Sequence, residues 1–310
     1  MTRVPRPWIR TALPSGAYDA LAANLPASQL WSVLLEVAAV RAAARQPAAL
    51  LEQWTRDRFV QPSVVDQRSL IDIDRHLLAA AADFESIELS PVAPLGVCSA
   101  MGHASQNKVL SALRGTEVVS DPTNVMALEC ARRLREDPAG VKHLATSHRC
   151  VRAQEIPKRP GLTASFRIFC LGSAGLERQN HAFVVKTIAA HITVMLNALD
   201  RLEEHGFAFP DRRITVMATD AREPLADRIV ASLGQSSVVR TALDHPYYNG
   251  GLRFQIAARS SDGIETTLAD GGAFDWVAKL TSNRRGVYVA SGLGSQQIAM
   301  MFRARPIKLE

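Results

Sequence analysis

This 310-residue sequence has few cysteines, few aromatic residues and no long apolar run. Its four cysteines lie at least 20 residues apart, without a CxxC pair or a histidine at zinc-ligand spacing. Neither a structural zinc nor a disulfide scaffold is therefore indicated. Aromatic residues are only 6% of the chain, so the core must consist mainly of Ala, Leu, Val and Ile. No segment approaches the roughly 18 uninterrupted apolar residues of a membrane span, and prolines interrupt the N-terminal region where a secretory signal would lie. We expect a soluble cytoplasmic protein with reduced thiols and no membrane contact.

The charge balance is moderately basic. The formal net charge is +6 and the isoelectric point is about 9.4. This charge permits an anionic ligand such as a nucleotide. The basic residues are dispersed rather than clustered, so binding of nucleic acid is not indicated. Apolar residues make up 47% of the chain, which is enough to fill the core of one large domain or two small ones.

The chain divides into an N-terminal extension, residues 1–66, and a core domain, residues 67–310. The extension begins with a proline-rich arm and continues with helical spacing of apolar residues over Ser28–Ala44 and Pro47–Phe59. The core combines long helices with a dense run of strands and lacks βαβ alternation. This order predicts an α+β fold with a mostly antiparallel sheet flanked by helices.

Local signals predict the elements of the core. Asp121 can cap a helix that has Pro122 in its first turn, and Gly234 can end another. The predicted helices are Leu70–Phe84, Asn124–Arg135, Asn180–His205, Pro224–Leu233 and Ser295–Phe302. The predicted strands are Ser86–Leu89, Arg213–Ala218, Leu252–Ala258, Glu265–Ala269 and Gly286–Ser291.

A basic hairpin lies at the centre of the chain. Its predicted strands, Cys150–Ala153 and Thr163–Leu171, are joined by a loop that is rich in Pro and Gly. Arg152 could grip a phosphate through two N–H groups, and the aromatic face of Phe166 could stack on a base. Lys158 and Arg159 add cations across the loop. The alternative is a solvated basic loop without a ligand.

Six segments, in this order, are similar to the catalytic core of class II aminoacyl-tRNA synthetases, closest to the histidyl branch. The resemblance covers roughly residues 67–303. The helix, strand and proline of Leu70–Pro91 resemble the first motif, which builds the dimer interface in that family. The other five segments are VVSDPTNVMAL from Val118, VRAQ from Val151 with Phe166, YYNGGLRF from Tyr247, GGAFD from Gly271 and SGLGSQQIAMMF from Ser291.

The resemblance implies binding of ATP with Mg²⁺, of a small amino acid or related carboxylate, and assembly as a homodimer. Arg152 would be catalytic and would hold the α-phosphate, while Phe166 would stack on adenine beside the glycines of the third motif. Apart from the resemblance, the position of Arg240 just before the YYNGG segment suggests it as a second catalytic cation. The expected cofactor-binding residues are Arg152, Phe166, Gly292 and Gly294. The expected substrate-binding residues are Asp121, Thr123, Tyr247, Tyr248, Gly271, Gly272 and Asp275.

Each of these residues also has a purely structural interpretation. Arg152 and Arg240 could be strand arginines in surface ion pairs. The two tyrosines could belong to the core, and the Gly271–Gly272 pair could form a tight turn. Asp121, Thr123 and Asp275 could be helix caps.

The sequence departs from the family pattern at three positions. Gln154 stands where the second motif has a glutamate, and Gly172 stands where the returning strand has another. Gln297 replaces the third-motif arginine that braces ATP. A neutral amide cannot make the charge-assisted contact of a guanidinium with a triphosphate.

Three functions are compatible with these patterns. The first is formation of an aminoacyl-adenylate for a non-standard acceptor such as a protein, since the chain ends at Glu310 without room for an anticodon-binding domain. The second is a non-catalytic, histidine-sensing regulatory subunit of ATP phosphoribosyltransferase, bound to a catalytic partner subunit. The third, a binding module for tRNA-like RNA, would need a clustered basic face that the sequence lacks.

Overall fold

The computed structural model describes residues 7–102, 105–157, 159, 162–234 and 238–304. The helices are α1 (Pro7–Thr11), α2 (Ala17–Asp19), α3 (Ala27–Ala43), α4 (Pro47–Arg56), α5 (Gln67–Ala80), α6 (Val97–Met101), α7 (Pro122–Glu136), α8 (Ala182–Glu203), α9 (Glu223–Leu233), α10 (Trp276–Thr281) and α11 (Ser295–Met301). The strands are β1 (Glu85–Ser86), β2 (Val92–Pro94), β3 (Ser111–Ala112), β4 (Thr116–Val118), β5 (Lys142–Val151), β6 (Ser165–Leu176), β7 (Arg213–Ala218), β8 (Val238–Ala242), β9 (Leu252–Arg259), β10 (Glu265–Phe274) and β11 (Gly286–Leu293).

One eight-stranded sheet organises the chain, in the order β1-β5-β6-β11-β10-β9-β7-β8. Its five inner pairs are antiparallel, and only the edge pairs β1–β5 and β7–β8 are parallel. A separate three-stranded sheet has the order β2-β4-β3. The prediction of an α+β fold with a mostly antiparallel sheet is confirmed.

The two faces of the large sheet carry different cores. Helices α5, α8, α9 and α11 cover one face with an aliphatic cluster that includes the fully buried Ile192 and Leu199. Helix α8 is long and apolar enough to cross a membrane by length and composition, but 61% of its most apolar window is buried inside the fold. It therefore packs within the aliphatic cluster as its central helix. The cytoplasmic location stays a prediction.

Helices α6, α7 and α10 cover the other face with an aromatic cluster. The rings of Phe274 and Trp276 stack with their centroids 4.0 Å apart, and Tyr288 lies 5.8 Å from Trp276. This cluster also contains all four cysteines, which are buried and free. The larger of the two cavities described below is lined by members of this cluster, such as Cys98, Tyr248 and Phe274.

The central hairpin is longer than the sequence indicates. Strand β5 begins at Lys142, eight residues before the predicted start, because residues 142–151 pair in register with residues 165–174 of β6. The loop between the strands is pinned at its far side. Arg159 donates to Asp262, in the turn that joins β9 to β10, and to Thr266, near the start of β10.

Several helix boundaries follow the predicted caps. Asp121 precedes α7 and its Oδ1 accepts a hydrogen bond from the backbone N–H of Thr123 (3.0 Å), with Pro122 as the first helical residue. Gly234 follows α9 in a left-handed conformation. In contrast, Tyr247 and Tyr248 lie in a turn before β9 and not in a strand. The sequence reasoning also missed strand β8 and helix α10.

The N-terminal extension contributes little to the core. Helices α3 and α4 have no buried residue, and α5 is the first helix that does. Ser63 ties the end of the extension to the core through a hydrogen bond to Gln296 (3.1 Å). Large apolar side chains stay exposed on these two helices, namely Val33, Val37, Val40, Leu50, Leu51 and Trp54. The domain boundary at residue 66 stays a prediction.

Candidate functional site

Two adjoining cavities lie on the aromatic face of the large sheet. The larger has a volume of about 460 Å³ and the smaller about 300 Å³. They share one wall, which is formed by Arg152, Gln154, Ile168, Asp270 and Gly292. Ligands in the two cavities would therefore lie on either side of this wall.

The structure brings together nine of the twelve predicted site residues. Arg152 and Gly292 lie on the shared wall, and Phe166 and Gly294 line the smaller cavity. The larger cavity is lined by Asp121, Thr123, Tyr247, Tyr248 and Gly271. The roles of these residues stay predictions.

Arg152 is held by hydrogen bonds that leave its charge unpaired. Its backbone N–H donates to the carbonyl of Ala164, and its Nε donates to the carbonyl of Ser120, both at 2.8 Å. Its guanidinium lies over the ring of Phe166, 5.0 Å from the centroid. Within the described part of the chain, no carboxylate forms an ion pair with Arg152. The surface ion-pair interpretation therefore does not hold for this arginine.

The N-terminus of α7 forms the polar side of the larger cavity. Asp121 Oδ1 accepts from both the backbone N–H and the hydroxyl of Thr123, at 3.0 and 2.7 Å. Its Oδ2 accepts from the Tyr247 hydroxyl at 2.9 Å. Burial, together with the carboxylate of Asp121, raises the pKa of Tyr247 well above its usual value, so this hydroxyl keeps its proton. Asp121 is thus both a helix cap and a fixed carboxylate at the cavity wall.

Sequence reasoning missed a charged cluster on the opposite wall. Arg253 donates to Asp270 through Nε (3.0 Å) and Nη2 (2.6 Å), and its guanidinium lies 4.9 Å from the ring centroid of Tyr248. The Tyr248 hydroxyl donates to Asp270 at 2.6 Å. The sequence signal for this cluster is the alternation of side chains along β9. Leu252 and Phe254 are buried in the aliphatic cluster on one face of the sheet, so Arg253 between them points to the other face, where the cavity lies.

The floor of the larger cavity is formed by small polar groups. The Cys98 thiol lies 2.8 Å from the Ser120 hydroxyl, and the Asn124 amide donates to the same sulfur at 3.5 Å. Burial raises the pKa of Cys98, so it is a neutral thiol and a poor nucleophile. The buried carboxylate of Glu117 holds this region by accepting from the backbone N–H groups of Gly96 (2.8 Å) and Cys98 (3.1 Å).

The smaller cavity offers an aromatic face and mostly neutral polar groups. Arg167 lines it but is engaged by the buried Asp74, whose pKa is raised by burial despite this partner. Gln296 donates to the Thr163 hydroxyl at 2.8 Å and accepts from Ser63, and Gln297 lies beside it. Among the described residues that line this cavity, Arg152 is the only cation without a carboxylate partner. The cavity suits a nucleobase better than a triphosphate.

Three predicted site residues line neither cavity. Arg240 lies on the edge strand β8, outside both cavities, and forms ion pairs there with Glu223 and Asp227 of α9. Its alternative interpretation, a strand-edge charge, is correct. Gly272 lies in β10, where an added Cβ would be 2.2 Å from the carbonyl oxygen of Leu252. Its role is close packing of adjacent strands.

Asp275 precedes α10 and its side chain accepts from Asn249 (2.7 Å) and pairs with Lys279 (2.9 Å), outside the two cavities.

The two cations predicted in the hairpin loop, Arg159 and Lys158, are not among the described residues that line the cavities. Arg159 is used to pin the hairpin loop, and Lys158 lies outside the described residues. Within the described ranges, no group of three or more His, Cys, Asp or Glu side chains could hold a metal ion. The Mg²⁺ that is expected together with ATP stays a prediction.

The position of the missing glutamate, Gly172, is closed by another side chain. A Cβ on Gly172 would lie 2.8 Å from the Tyr288 hydroxyl oxygen and 3.2 Å from Met126. The Tyr288 hydroxyl is buried and donates to the carbonyl of Thr123 at 2.7 Å. Tyr288 therefore occupies the space that a longer side chain at residue 172 would need.

Comparison with solved structures agrees with this geometry. An ATP phosphoribosyltransferase regulatory subunit/histidyl-tRNA synthetase from Bacillus halodurans superposes with a TM-score of 0.59 at 14% identity, over 78% of this chain and 81% of that one. The chain has the fold of a class II aminoacyl-tRNA synthetase catalytic core. A histidine–tRNA ligase subunit from Alicyclobacillus acidocaldarius gives a TM-score of 0.58 at 12% identity, over 79% of this chain and 96% of that one.

A third structure shows how much of a synthetase chain this chain matches. Apo histidyl-tRNA synthetase from S. aureus gives a TM-score of 0.52 at 12% identity, and the match spans 74% of this chain but 64% of that one. No family model and no curated protein matches the sequence. At these identities the comparisons establish the fold and leave the function to the site.

Proposed function

We propose that this chain binds a free amino acid in the larger cavity and acts as an amino-acid sensor without activating its ligand. The observation that carries the proposal is the contrast between the two cavities. The larger contains oriented side chains of both charge signs. Among the described residues of the smaller cavity, only Arg152 is a cation without a carboxylate partner, which is too little positive charge for a triphosphate.

The larger cavity suits a zwitterion. Asp121 is fixed by Thr123 and Tyr247, and a carboxylate has further lone pairs with which to accept from a substrate ammonium group. Arg152 lies on the wall between the cavities with its charge unpaired, where it can face a substrate carboxylate. Because these groups are already oriented, little side-chain entropy is lost when a ligand binds.

The smaller cavity argues against adenylate formation. Adenylyl transfer depends on stabilising the charge that develops on the α-phosphate, which cationic side chains or metal ions supply. Arg167 is committed to Asp74, and Gln154 and Gln297 are neutral. Asp270, which also lines this space, is paired with Arg253 and therefore adds no positive charge that could hold phosphate oxygens.

The similar structures suggest a first ligand and a kind of partner. The Bacillus halodurans protein is described as a regulatory subunit of ATP phosphoribosyltransferase or a histidyl-tRNA synthetase, and the other two are a histidyl-tRNA synthetase and a histidine–tRNA ligase subunit. L-Histidine is therefore the first amino acid to test, with a catalytic transferase subunit as the proposed partner and a homodimer as the proposed assembly.

A second function is favoured by one observation. The cavities adjoin along Arg152, whose guanidinium stacks on Phe166, so a nucleotide and an amino acid could meet there as an adenylating enzyme requires. In that case ATP with Mg²⁺ would be the cofactor. Amino-acid-dependent exchange of pyrophosphate into ATP would distinguish this function from sensing.

Isothermal titration calorimetry tests the proposal directly. The folded protein is titrated with each proteinogenic amino acid and, separately, with ATP and Mg²⁺. We expect one amino acid, L-histidine first, to bind and ATP to give no heat of binding. Asp121→Asn should weaken amino-acid binding about 10-fold through loss of a charge-assisted hydrogen bond. Arg240→Gln is the matched control, since Arg240 lies outside both cavities.

No binding of any amino acid by the folded protein would contradict the proposal. Binding of ATP together with amino-acid-dependent pyrophosphate exchange would instead establish the second function.

A further inference from the structure

Arg253 is a fixed cation on the wall of the larger cavity, which the N-terminus of α7 also lines. It lies on β9 with the buried residues Leu252 and Phe254 on either side, so its side chain points to the face that carries the cavity. Its side chain is 18% exposed, which leaves it in contact with the cavity but largely shielded from solvent. A charge in such a position interacts strongly with a ligand of opposite charge.

The guanidinium is oriented by two neighbours that use only part of its hydrogen-bonding capacity. Asp270 accepts from Nε and Nη2, at 3.0 and 2.6 Å, and the Tyr248 ring supports one face of the guanidinium. Tyr248 in turn fixes Asp270 through its hydroxyl at 2.6 Å. A guanidinium has five N–H groups. Asp270 accepts from only two of them, so the guanidinium keeps N–H groups that this carboxylate does not use.

The charges around the cavity do not cancel. Its lining contains three Lys or Arg side chains, Lys108, Arg152 and Arg253, and two carboxylates, Asp121 and Asp270, so the difference is 3 − 2 = +1. If Arg253 served only to neutralise Asp270, one carboxylate and two other cations would remain for the ligand. The net positive lining favours a ligand that carries a carboxylate, and the N–H groups of Arg253 that Asp270 leaves unused offer it a place to bind.

We infer that Arg253 binds the carboxylate of the amino acid, as the second cation of the site beside Arg152. This inference rests on the proposed function and specifies its ligand as an amino acid with a free carboxylate. Arg253 thus supplies the cation that the sequence suggested at Arg240, from the strand that follows the tyrosine pair. Asp270 and Tyr248 are positioning residues that hold the guanidinium.

The test is a cycle of two ligands and two proteins. L-Histidine and L-histidinamide, which has a neutral carboxamide in place of the carboxylate, are titrated into the wild type and into Arg253→Gln/Asp270→Asn. The double variant removes both partners of the ion pair, so no unpaired carboxylate is left behind. We expect it to bind L-histidine about 10- to 100-fold more weakly than the wild type, but L-histidinamide within about threefold. Arg253→Lys should keep part of the preference for the acid. If another amino acid binds in its place, its acid and amide form the pair.

The outcomes separate the inference from the proposed function. If the wild type binds no amino acid, both are overturned. If the wild type binds the acid but the double variant weakens acid and amide by the same factor, only the role of Arg253 is overturned. Arg240→Gln is the control for removing an ion-paired arginine on a strand outside the cavities, and melting curves establish that each variant is folded.

Discussion

Adding one methyl group at Gly172 should destabilise the protein, and removing one hydroxyl at Tyr288 should partly reverse the loss. In Gly172→Ala the new Cβ would lie 2.8 Å from the Tyr288 oxygen and 3.2 to 3.3 Å from Met126. The hydroxyl cannot move freely, because it is buried and bonded to the Thr123 carbonyl at 2.7 Å. Overpacking of this kind costs about 1–3 kcal/mol, and the lower entropy of the unfolded alanine chain offsets about 0.4–1 kcal/mol. We expect a net loss of about 1–2 kcal/mol in the free energy of unfolding.

Tyr288→Phe alone should cost about 1 kcal/mol through the lost hydrogen bond to Thr123. In the double variant the shortest contact of the new Cβ is gone and only the contacts with Met126 remain. The two losses should therefore not add, and the coupling should be about 1 kcal/mol in favour of the double variant. Urea denaturation followed by circular dichroism measures all four proteins. Losses that add to within about 0.5 kcal/mol would refute the claim that Tyr288 closes the space beside Gly172.

Burial is the basis of three further predictions. The pKa of His191 is lowered to about 3 by burial, so between pH 6.5 and 3 the unfolded chain binds the extra proton and stability falls as the pH falls. His191→Gln should make this decline shallower by up to about 1.4 kcal/mol per pH unit, as measured by urea denaturation at several pH values, and an unchanged slope would contradict the assignment. Because Cys130, Cys150 and Cys170 are completely buried and line neither cavity, a thiol reagent should react with these three only after denaturation, and fast reaction of more than one thiol in the native protein would contradict this packing. Since α3 and α4 bury no residue, removal of residues 1–56 should shift the melting temperature by no more than about 2 °C, whereas loss of the folded state would show that the extension belongs to the core.

Sequence reasoning was most successful where a local signal decides the structure. The cap and proline at Asp121 and Pro122 locate the start of α7, and the apolar run Arg213–Ala218 coincides with β7. The paired strands of the central hairpin bring Arg152 beside Phe166, as their spacing predicts. In each case the interaction joins residues that are near in sequence or fixed by one strand pairing.

The failures concern side chains whose role depends on distant parts of the chain. Arg240 looked like a ligand cation, but its strand pairs at the sheet edge and α9 supplies two carboxylates from 13 and 17 residues earlier. Arg253 is oriented by Asp270 and Tyr248. Asp270 lies on β10, and only the pairing of β9 with β10 places it beside Arg253. The first eight residues of β5 were missed because several of its polar side chains are buried by packing that local periodicity does not reveal.

The most direct test of the account is a calorimetric comparison of two ligands on the same preparation of the full chain. L-Histidine and the other amino acids are titrated first, and ATP with Mg²⁺ is titrated into a fresh sample. The account predicts saturable binding of one amino acid, weakened in Asp121→Asn and unchanged in Arg240→Gln, with no heat of binding from ATP. Saturable binding of ATP, with no amino acid bound in its absence, would contradict it.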